Sequence, residues 1–432
     1  MTYTPATRRR FLRTLAAAAV GAPILGRIEH AAAAVDGSAR ALKTGVGAPA
    51  WLDALRTRYM LAPGITFLNH ASIGTVPRPV HEAHAAYLEL CETHPSLYVW
   101  GDPWREVTEE TRAGAARLLG ADPEDLAITH NTTEGFNVLA HGLPLDAGDE
   151  VLFSNLNHPG AAVPWERMAA RRGFRVRAFD LPLDGIPDMG VDEVVARHVE
   201  ALGARTRAVV VPHVDNQVGL RLPLAELSRA LRNAGVRWVL VDGAQSAGMI
   251  DVDLSASGVD AYAMSPHKWI QSPKGLGMFW VAPALRAELP PMWHRTGGSG
   301  RGPSARQYED YSTRAWPAVV ALGDALTFQD AIGADEKARR YAALRADIQA
   351  RVADEPGLRW ASPVSDRVGS VIVAVEVHGR SAPEVGEELM SAHGINVRAF
   401  GGSANTLRLS PNLATPEEQI HAALDRMAGA AR

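Results

Sequence analysis

The sequence predicts an α/β fold: a mostly parallel, seven-stranded sheet flanked by helices, followed by a smaller C-terminal α+β domain. Three observations carry this reading. Short runs rich in Val, Ile, Leu and Phe lie at residues 125–129, 150–155, 174–181, 207–213, 237–241, 261–264 and 277–281. Such near-continuous apolar runs are what strands covered on both faces require. Amphipathic segments such as residues 224–234 lie between several of them, and strands that alternate with helices build a parallel sheet with helices on both sides. Beyond about residue 317 the character changes. A long Ala/Arg/Leu/Asp-rich helical stretch covers 316–354, then strands over 370–377, 395–399 and 406–410 mix with a helix over 381–392 and a last helix.

The elements divide into a leader at 1–34, an N-terminal arm at 35–64, a large domain at 65–315 and a small domain at 316–432. The 432 residues amount to about three typical domains. A content of 47% hydrophobic and 21% charged residues supports a large core and excludes a disordered chain. Forty-four Lys+Arg against 48 Asp+Glu leave a net charge of −4. No broad basic field exists, so nucleic acid is not expected as a partner. A single cysteine, Cys91, excludes an internal disulfide framework and a Cys-rich metal site.

The chain starts with a charged segment, Thr7-Arg8-Arg9-Arg10-Phe11-Leu12-Arg13. An apolar stretch over 15–26 and a small-residue zone, Ala31 to Ala34, follow. That order is the order of a secretory signal. The apolar core is shorter than the ~20 residues that span a bilayer. The arginine pair before Phe-Leu-Arg resembles a twin-arginine (Tat) signal. That resemblance implies export of a folded, cofactor-loaded chain by the Tat translocase to a periplasmic or extracytoplasmic location, without stable membrane insertion. Two later helices carry the capping-box spacing: Ser381-Ala-Pro-Glu384 and Thr415-Pro-Glu-Glu418, with Pro416 at the first helical position. The Gly-rich run over 296–302 does not follow a strand in a βα unit, so it is no dinucleotide fingerprint.

The chemistry is expected at strand ends. Asp242 closes the run Val239-Leu-Val, and in open parallel sheets ligands sit at the carboxyl ends of strands. Lys268 follows the next strand, in Ser265-Pro-His267-Lys268. A lysine at that depth is costly unless it is paired or reactive, and desolvation makes its amine a nucleophile. Lysine plus a strand-end aspartate is the pair that pyridoxal phosphate needs, one for the Schiff base and one to keep the pyridine nitrogen protonated. Spacing alone leaves a surface lysine and a helix-capping aspartate as open alternatives.

Three blocks decide further: Asp242-Gly-Ala-Gln245, Ser265-Pro-His267-Lys268-Trp269 and Pro273-Lys-Gly-Leu-Gly277. Together they resemble the core of the class V aminotransferase family of fold-type I pyridoxal-phosphate enzymes, from about Leu68 to Glu418. The resemblance implies pyridoxal 5′-phosphate as cofactor, Lys268 as Schiff-base lysine and general base, and Asp242 as the carboxylate under the ring nitrogen. It makes His158 the ring that stacks on the pyridine, and Asn216 and Gln245 neighbours of the cofactor O3′. Thr132 and Thr133, in Asn131-Thr132-Thr133-Glu134-Gly135, open a helix whose free N–H groups suit a phosphate. By resemblance these two threonines, Ser265 and His267 contact that phosphate. Arg408 matches an arginine that grips the substrate carboxylate, a task suited to a guanidinium fork. His70, in Asn69-His70-Ala71-Ser72, is a further substrate contact. Ser312-Thr313 sits where the family has Gly-Thr reaching the neighbouring subunit's phosphate, which implies a homodimer with shared active sites and Thr313 as a cofactor ligand.

The resemblance divides into branches. Cysteine desulfurases carry a thiol on a loop of the C-terminal domain, where this chain has Arg398-Ala-Phe-Gly-Gly-Ser-Ala404. Cys91 lies far upstream on an apolar helical stretch and is expected in packing. Trp269 and the Pro-Lys-Gly-Leu-Gly block look more like the isopenicillin N epimerase-like branch. The expectation is therefore an exported enzyme acting at the Cα-amino group of an amino acid or amino-acid-derived substrate, as aminotransferase or epimerase. The alternatives are a C–S/β-elimination lyase and, from another class, a catalytically silent binding protein that kept the fold. His81-Glu-Ala-His84 has helical spacing but no carboxylate-rich companion, so no metal is assigned.

Overall fold

The computed structural model describes residues 22–47, 50–98, 104–293, 304–309 and 311–431. The arginine motif at 8–13 and the Gly-rich run at 296–302 lie outside the described residues. A first short strand, β1 (Thr66–Phe67), precedes the main sheet. The large sheet contains β2 (Leu126–Thr129), β3 (Glu150–Ser154), β4 (Arg175–Phe179), β5 (Thr206–Pro212), β6 (Trp238–Asp242), β7 (Ala261–Met264) and β8 (Gly277–Val281). All seven apolar runs of the sequence are strands of this one sheet, in the order β2–β8–β7–β6–β5–β3–β4. β8 runs antiparallel to β2 and β7, and the remaining neighbours pair in parallel.

Burial explains the composition. Every residue of β2, β6, β7 and β8 is buried, because helices cover both faces. On one face Phe136, Trp165, Leu240, Phe279 and Tyr308 pack together. The other face packs Leu227, Leu231, Val239, Val241 and Tyr262 into the larger core, which continues into the C-terminal half. β4 is the outer, partly exposed edge.

The C-terminal sheet comprises β9 (Leu358–Trp360), β10 (Val373–Val377), β12 (Arg398–Phe400) and β13 (Thr406–Leu409), all antiparallel in the order β12–β13–β10–β9. β11 (Ile395–Asn396) pairs instead in parallel with β1, Thr66 opposite Ile395. The chain around residue 66 is thereby tied to the C-terminal half. The helical stretch at 316–354 is two helices, Trp316–Ile332 and Ala334–Asp354. Gly333 between them has φ +85°, a conformation in which a side chain is strained.

Neither expected capping box forms. Ser381 precedes the helix Ala382–His393 without a side-chain cap bond; the Ala382 N–H donates to Asn405 Oδ1 at 2.9 Å instead. Thr415 Oγ1 accepts the Asn412 N–H at 2.8 Å, and Pro416, expected at the first helical position, is the N-cap of the helix Glu417–Ala430. Asn405 thus binds the first N–H of one helix, and at the other the Thr415 hydroxyl is already taken.

A helix that the sequence reading did not propose, Ala22–Gly45, runs without a break through Ala31–Ala34. Its Ile28, Ala31 and Val35 are buried among Tyr87, Leu90 and Cys91 of the helix Arg78–Thr93 and Val320 and Ala321 of Trp316–Ile332. Cys91 is fully buried there. Arg27 pairs with Glu89 at 2.7 Å along the same contact. Among the described residues no helix is long and apolar enough to cross a membrane.

Candidate active site

The parallel strands deliver their carboxyl ends to one place. β5 ends at Pro212 opposite Asp242, and Asp242 ends β6 opposite Ala263 of β7. The turns that leave these ends, with His158 from the turn after β3, line a narrow pocket formed by His158, Pro212, Val214, Asn216, Asp242, Ala244, Gln245 and Lys268. Larger clefts open elsewhere, one beside Arg221 and Asp253 and one beside Arg205 and Arg237. Size does not decide between them: of these three, formed by described residues, the small pocket is the one that joins a buried amine to a buried carboxylate.

Asp242 is nearly inaccessible. Its Oδ1 accepts the Ala244 N–H at 2.9 Å. Burial pushes its carboxyl up from the ordinary value, while the Ala244 N–H and then Lys268 act in the opposite direction. Burial also pulls the Lys268 ammonium down to about 8; Asp242 opposes this and Arg408 adds to it. His158 Nδ1 accepts the Gly160 N–H at 3.0 Å and caps the helix Pro159–Arg172. Accepting at Nδ1 leaves the ring proton on Nε2. Burial holds the His158 pKa below its ordinary value, so the ring is neutral near pH 7.

At the other end of the site, Asn131 caps the helix Thr132–Gly142, its Oδ1 accepting the Glu134 N–H at 2.9 Å. The Thr132 N–H donates to Ser265 Oγ at 3.1 Å, and the two hydroxyls stand 2.8 Å apart. Thr132 and Ser265, which are 133 positions apart, therefore meet at a helix N-terminus. His267 Nδ1 is buried without a protein partner, and burial holds its ring down to about 4. Thr133 approaches from the same turn: a Cβ on Gly160 would lie 2.8 Å from Thr133 Oγ1.

The remaining expected residues divide. Asn216 lines the pocket, and its backbone oxygen accepts from Arg408 Nη1 at 2.7 Å. Gln245 also lines it, but its amide is engaged: Nε2 donates to the Ala71 carbonyl at 2.9 Å and Oε1 accepts from Trp269 Nε1 at 2.8 Å. One amide hydrogen remains for a ligand. Arg408 is 2% exposed. Its Nη2 donates to Asn69 Oδ1 and Ser72 Oγ, each at 2.6 Å. His70 is fully buried against Trp269, ring centroids 5.1 Å apart, on the far side of that segment. Asn69 and Ser72, not singled out from sequence, thus stand at the site through their side chains. Thr313 is exposed and does not line the pocket. Its neighbours are anchored: Tyr311 lies against His130, centroids 4.6 Å apart, and Arg314 Nη2 donates to the Ile128 carbonyl at 2.6 Å. Buried Glu309 holds this region to the sheet by pairing with buried Arg112 at 2.6 Å and accepting the Ile128 N–H at 2.6 Å.

Comparison with known proteins agrees with this geometry. The profile of the aminotransferase class-V family matches residues 66–422. The chain belongs to that family. It is 33% identical over 400 residues to isopenicillin N epimerase of Streptomyces clavuligerus, covering 88% of this chain and 97% of the relative. A probable cysteine desulfurase of Pseudomonas aeruginosa is 34% identical over 233 residues, 53% of this chain and 56% of the relative. Among solved structures, the cystine C–S lyase C-DES with its product cysteine persulfide superposes with a TM-score of 0.75 at 27% identity, covering 85% of this chain and 98% of that one. A C-DES mutant with glycine covalently linked to the PLP cofactor gives 0.76 at 26%, covering 86% and 98%. The cofactor of this class-V enzyme is pyridoxal phosphate.

The residues present fit that group. Orphaned His267 Nδ1, the Thr132 and Ser265 hydroxyls and a helix N-terminus suit the phosphate. Asp242 suits the ring nitrogen and Lys268 the aldehyde carbon. Among the described residues no three His, Cys, Asp or Glu side chains converge as metal ligands.

The Lys268 environment makes a measurable statement. In the cofactor-free protein its reaction with an amine-directed acylating reagent, followed by peptide mass, should titrate with a midpoint near 8 rather than the ordinary 10.5. Because Asp242 favours the ammonium form, Asp242→Asn should move the midpoint lower. A wild-type midpoint near 10.5 contradicts a desolvated amine.

Proposed function

We propose that this chain is an exported, homodimeric pyridoxal-phosphate enzyme acting at the Cα-amino group of an amino acid or amino-acid-derived substrate, as an aminotransferase or an isopenicillin N epimerase-like enzyme. The observation that carries the reading is one pocket holding the Lys268 amine, the Asp242 carboxylate and the Asn216 amide beside the Arg408 guanidinium. Isopenicillin N epimerase matches over nearly its whole length, which supports the epimerase side. The loop 398–404 has no cysteine, which disfavours the persulfide step of a desulfurase.

When bound, pyridoxal phosphate supplies an electron sink for the bond that breaks at the substrate Cα. The chain's residues do the rest. Arg408 holds the α-carboxylate and orients the Cα bond. Lys268, partly neutral near pH 8, takes the Cα proton as general base. Asp242 would hold the proton on the ring nitrogen. His158 would present an uncharged face to the ring, and Asn216, which lines the same pocket, would donate to the ring oxygen. Return of the proton to the same carbon from the opposite face would invert it; transamination would instead pass the substrate's amino group to the cofactor, with water releasing the keto acid and a second keto substrate taking the amino group away. A second reading, a C–S/β-elimination lyase, draws support from the likeness to the cystine C–S lyase.

Exposed Ser312 and Thr313, next to Tyr311 and Arg314 at the phosphate end, support a dimer that completes each site from its partner. The arginine-rich start supports Tat-dependent export to the periplasm or beyond.

Asp242→Asn should retain part of the cofactor and slow exchange of the substrate Cα proton with deuterated water by orders of magnitude, as followed by NMR over a panel of amino acids and glutamyl peptides. A near-wild-type exchange rate removes Asp242 from its role. Replacing Arg8 and Arg9 together by lysine should leave the folded protein in the cytoplasmic fraction; unchanged export of that variant rules out the Tat route.

A further inference from the structure

The segment between β1 and the helix Arg78–Thr93 reaches three parts of the site at once. At one end, Asn69 Oδ1 and Ser72 Oγ both accept from Arg408 Nη2. In the middle, the Ala71 N–H donates to Ser410 Oγ at 3.0 Å and the Ala71 carbonyl accepts from Gln245 Nε2 at 2.9 Å. At the other end, the Gly74 N–H donates to the His267 carbonyl at 3.1 Å, and Lys274 Nζ donates to the Gly74 carbonyl at 2.9 Å. Gly74 lies so close to the lysine turn that a Cβ there would stand 2.1 Å from the Lys268 carbonyl oxygen and 2.5 Å from that of His267. Six residues, 69 to 74, thus connect the buried guanidinium to the backbone of Lys268.

The guanidinium itself is incomplete. Its acceptors are all uncharged: an amide oxygen, a hydroxyl and the Asn216 backbone carbonyl. Its Nε is buried without a partner. Asp215 acts on it only through its field, because both carboxylate oxygens are occupied by the N–H groups of Gln217, Val218 and Leu220. Directly across the strand pair from Arg408 stands Arg398, a second cation. A buried cation with neutral partners and a like charge opposite is destabilised until an anion arrives. Neutral acceptors can orient a guanidinium without neutralising it, which keeps its attraction for a carboxylate.

We propose that Asn69 and Ser72 are positioning residues that aim Arg408 at the substrate α-carboxylate, and that the stretch ending at Gly74 sets the separation between that carboxylate and the Lys268 amine. The proposal rests on the reading of Arg408 as a carboxylate grip. Amides and decarboxylated amines of the same side chain are poor substrates because they leave the guanidinium unpaired.

The test is read without turnover. In cofactor-free protein, acetate is the carboxylate probe and its affinity is read by NMR titration, with Arg408→Gln marking the guanidinium's share. Ser72→Ala and Asn69→Ala should each weaken acetate binding roughly tenfold, the scale of one hydrogen bond to a charged group. Ser72→Thr, which keeps the hydroxyl, should restore it. In holoenzyme the same alanine variants should raise KM for α-amino acids far more than they lower kcat, and shrink the preference for acid over amide. Equal acetate affinity in wild type and both alanine variants, with thermal unfolding unchanged, overturns the positioning role. Equal acetate affinity in wild type and Arg408→Gln overturns it too, and by a different route, because then the carboxylate-grip reading of Arg408 itself is wrong.

Discussion

Everything in this site follows from one arrangement: an amine and a carboxylate share a small pocket that water barely enters. Either group alone would be costly at that depth. Together they moderate each other, yet burial still wins, raising the carboxyl of Asp242 and lowering the ammonium of Lys268 to about 8. That shift turns an ordinary lysine into a nucleophile and base near neutral pH.

The fold exists to hold these two groups in register. Asp242 is the last residue of a fully buried strand paired on both sides, Pro212 beside it on one edge and Ala263 on the other. Its backbone therefore has little freedom. Lys268 sits in a turn braced from three directions: Trp269 on Gln245, Gly74 on the His267 carbonyl, and the Thr132–Ser265 contact at the helix end. Rigid strand ends below and tethered turns above give the site its geometry, the usual solution for catalytic groups carried on loops. Among the described residues, the C-terminal sheet reaches the site through Arg408 of β13, and the separate β1–β11 pair, just ahead of β12 in the chain, brings the Asn69–Gly74 stretch alongside it.

The strands of the large sheet were legible because burial on both faces leaves a signature that periodicity reads directly, as in residues 237–241. The helix start at Asn131-Thr132-Thr133 was legible because an Asn after a buried strand is a favoured N-cap. Less was visible where the partner lies far along the chain. Asn69 and Ser72 reach Arg408 across more than 330 positions, and no local pattern encodes that. The family resemblance of the Asn69-His70-Ala71-Ser72 block drew attention to His70, which lies against Trp269, and passed over its polar neighbours. The capping boxes show the opposite failure: Ser381 and Thr415 have the right spacing, yet Asn405 Oδ1 caps the Ala382 N–H of the first helix and the Thr415 hydroxyl is taken by the Asn412 N–H. In the helix Ala22–Gly45 the alanine-rich turns also read as a leader's small-residue zone, so composition did not separate the two.

The central claim is that the amine of Lys268 carries the cofactor. Borohydride reduction of the holoenzyme, proteolysis and mass mapping test it most directly. The account predicts one stable pyridoxyl tag, on the peptide containing Lys268, and none on Lys274, six positions further on. A tag on any other lysine, or none at all in protein that retains bound pyridoxal phosphate, would contradict it.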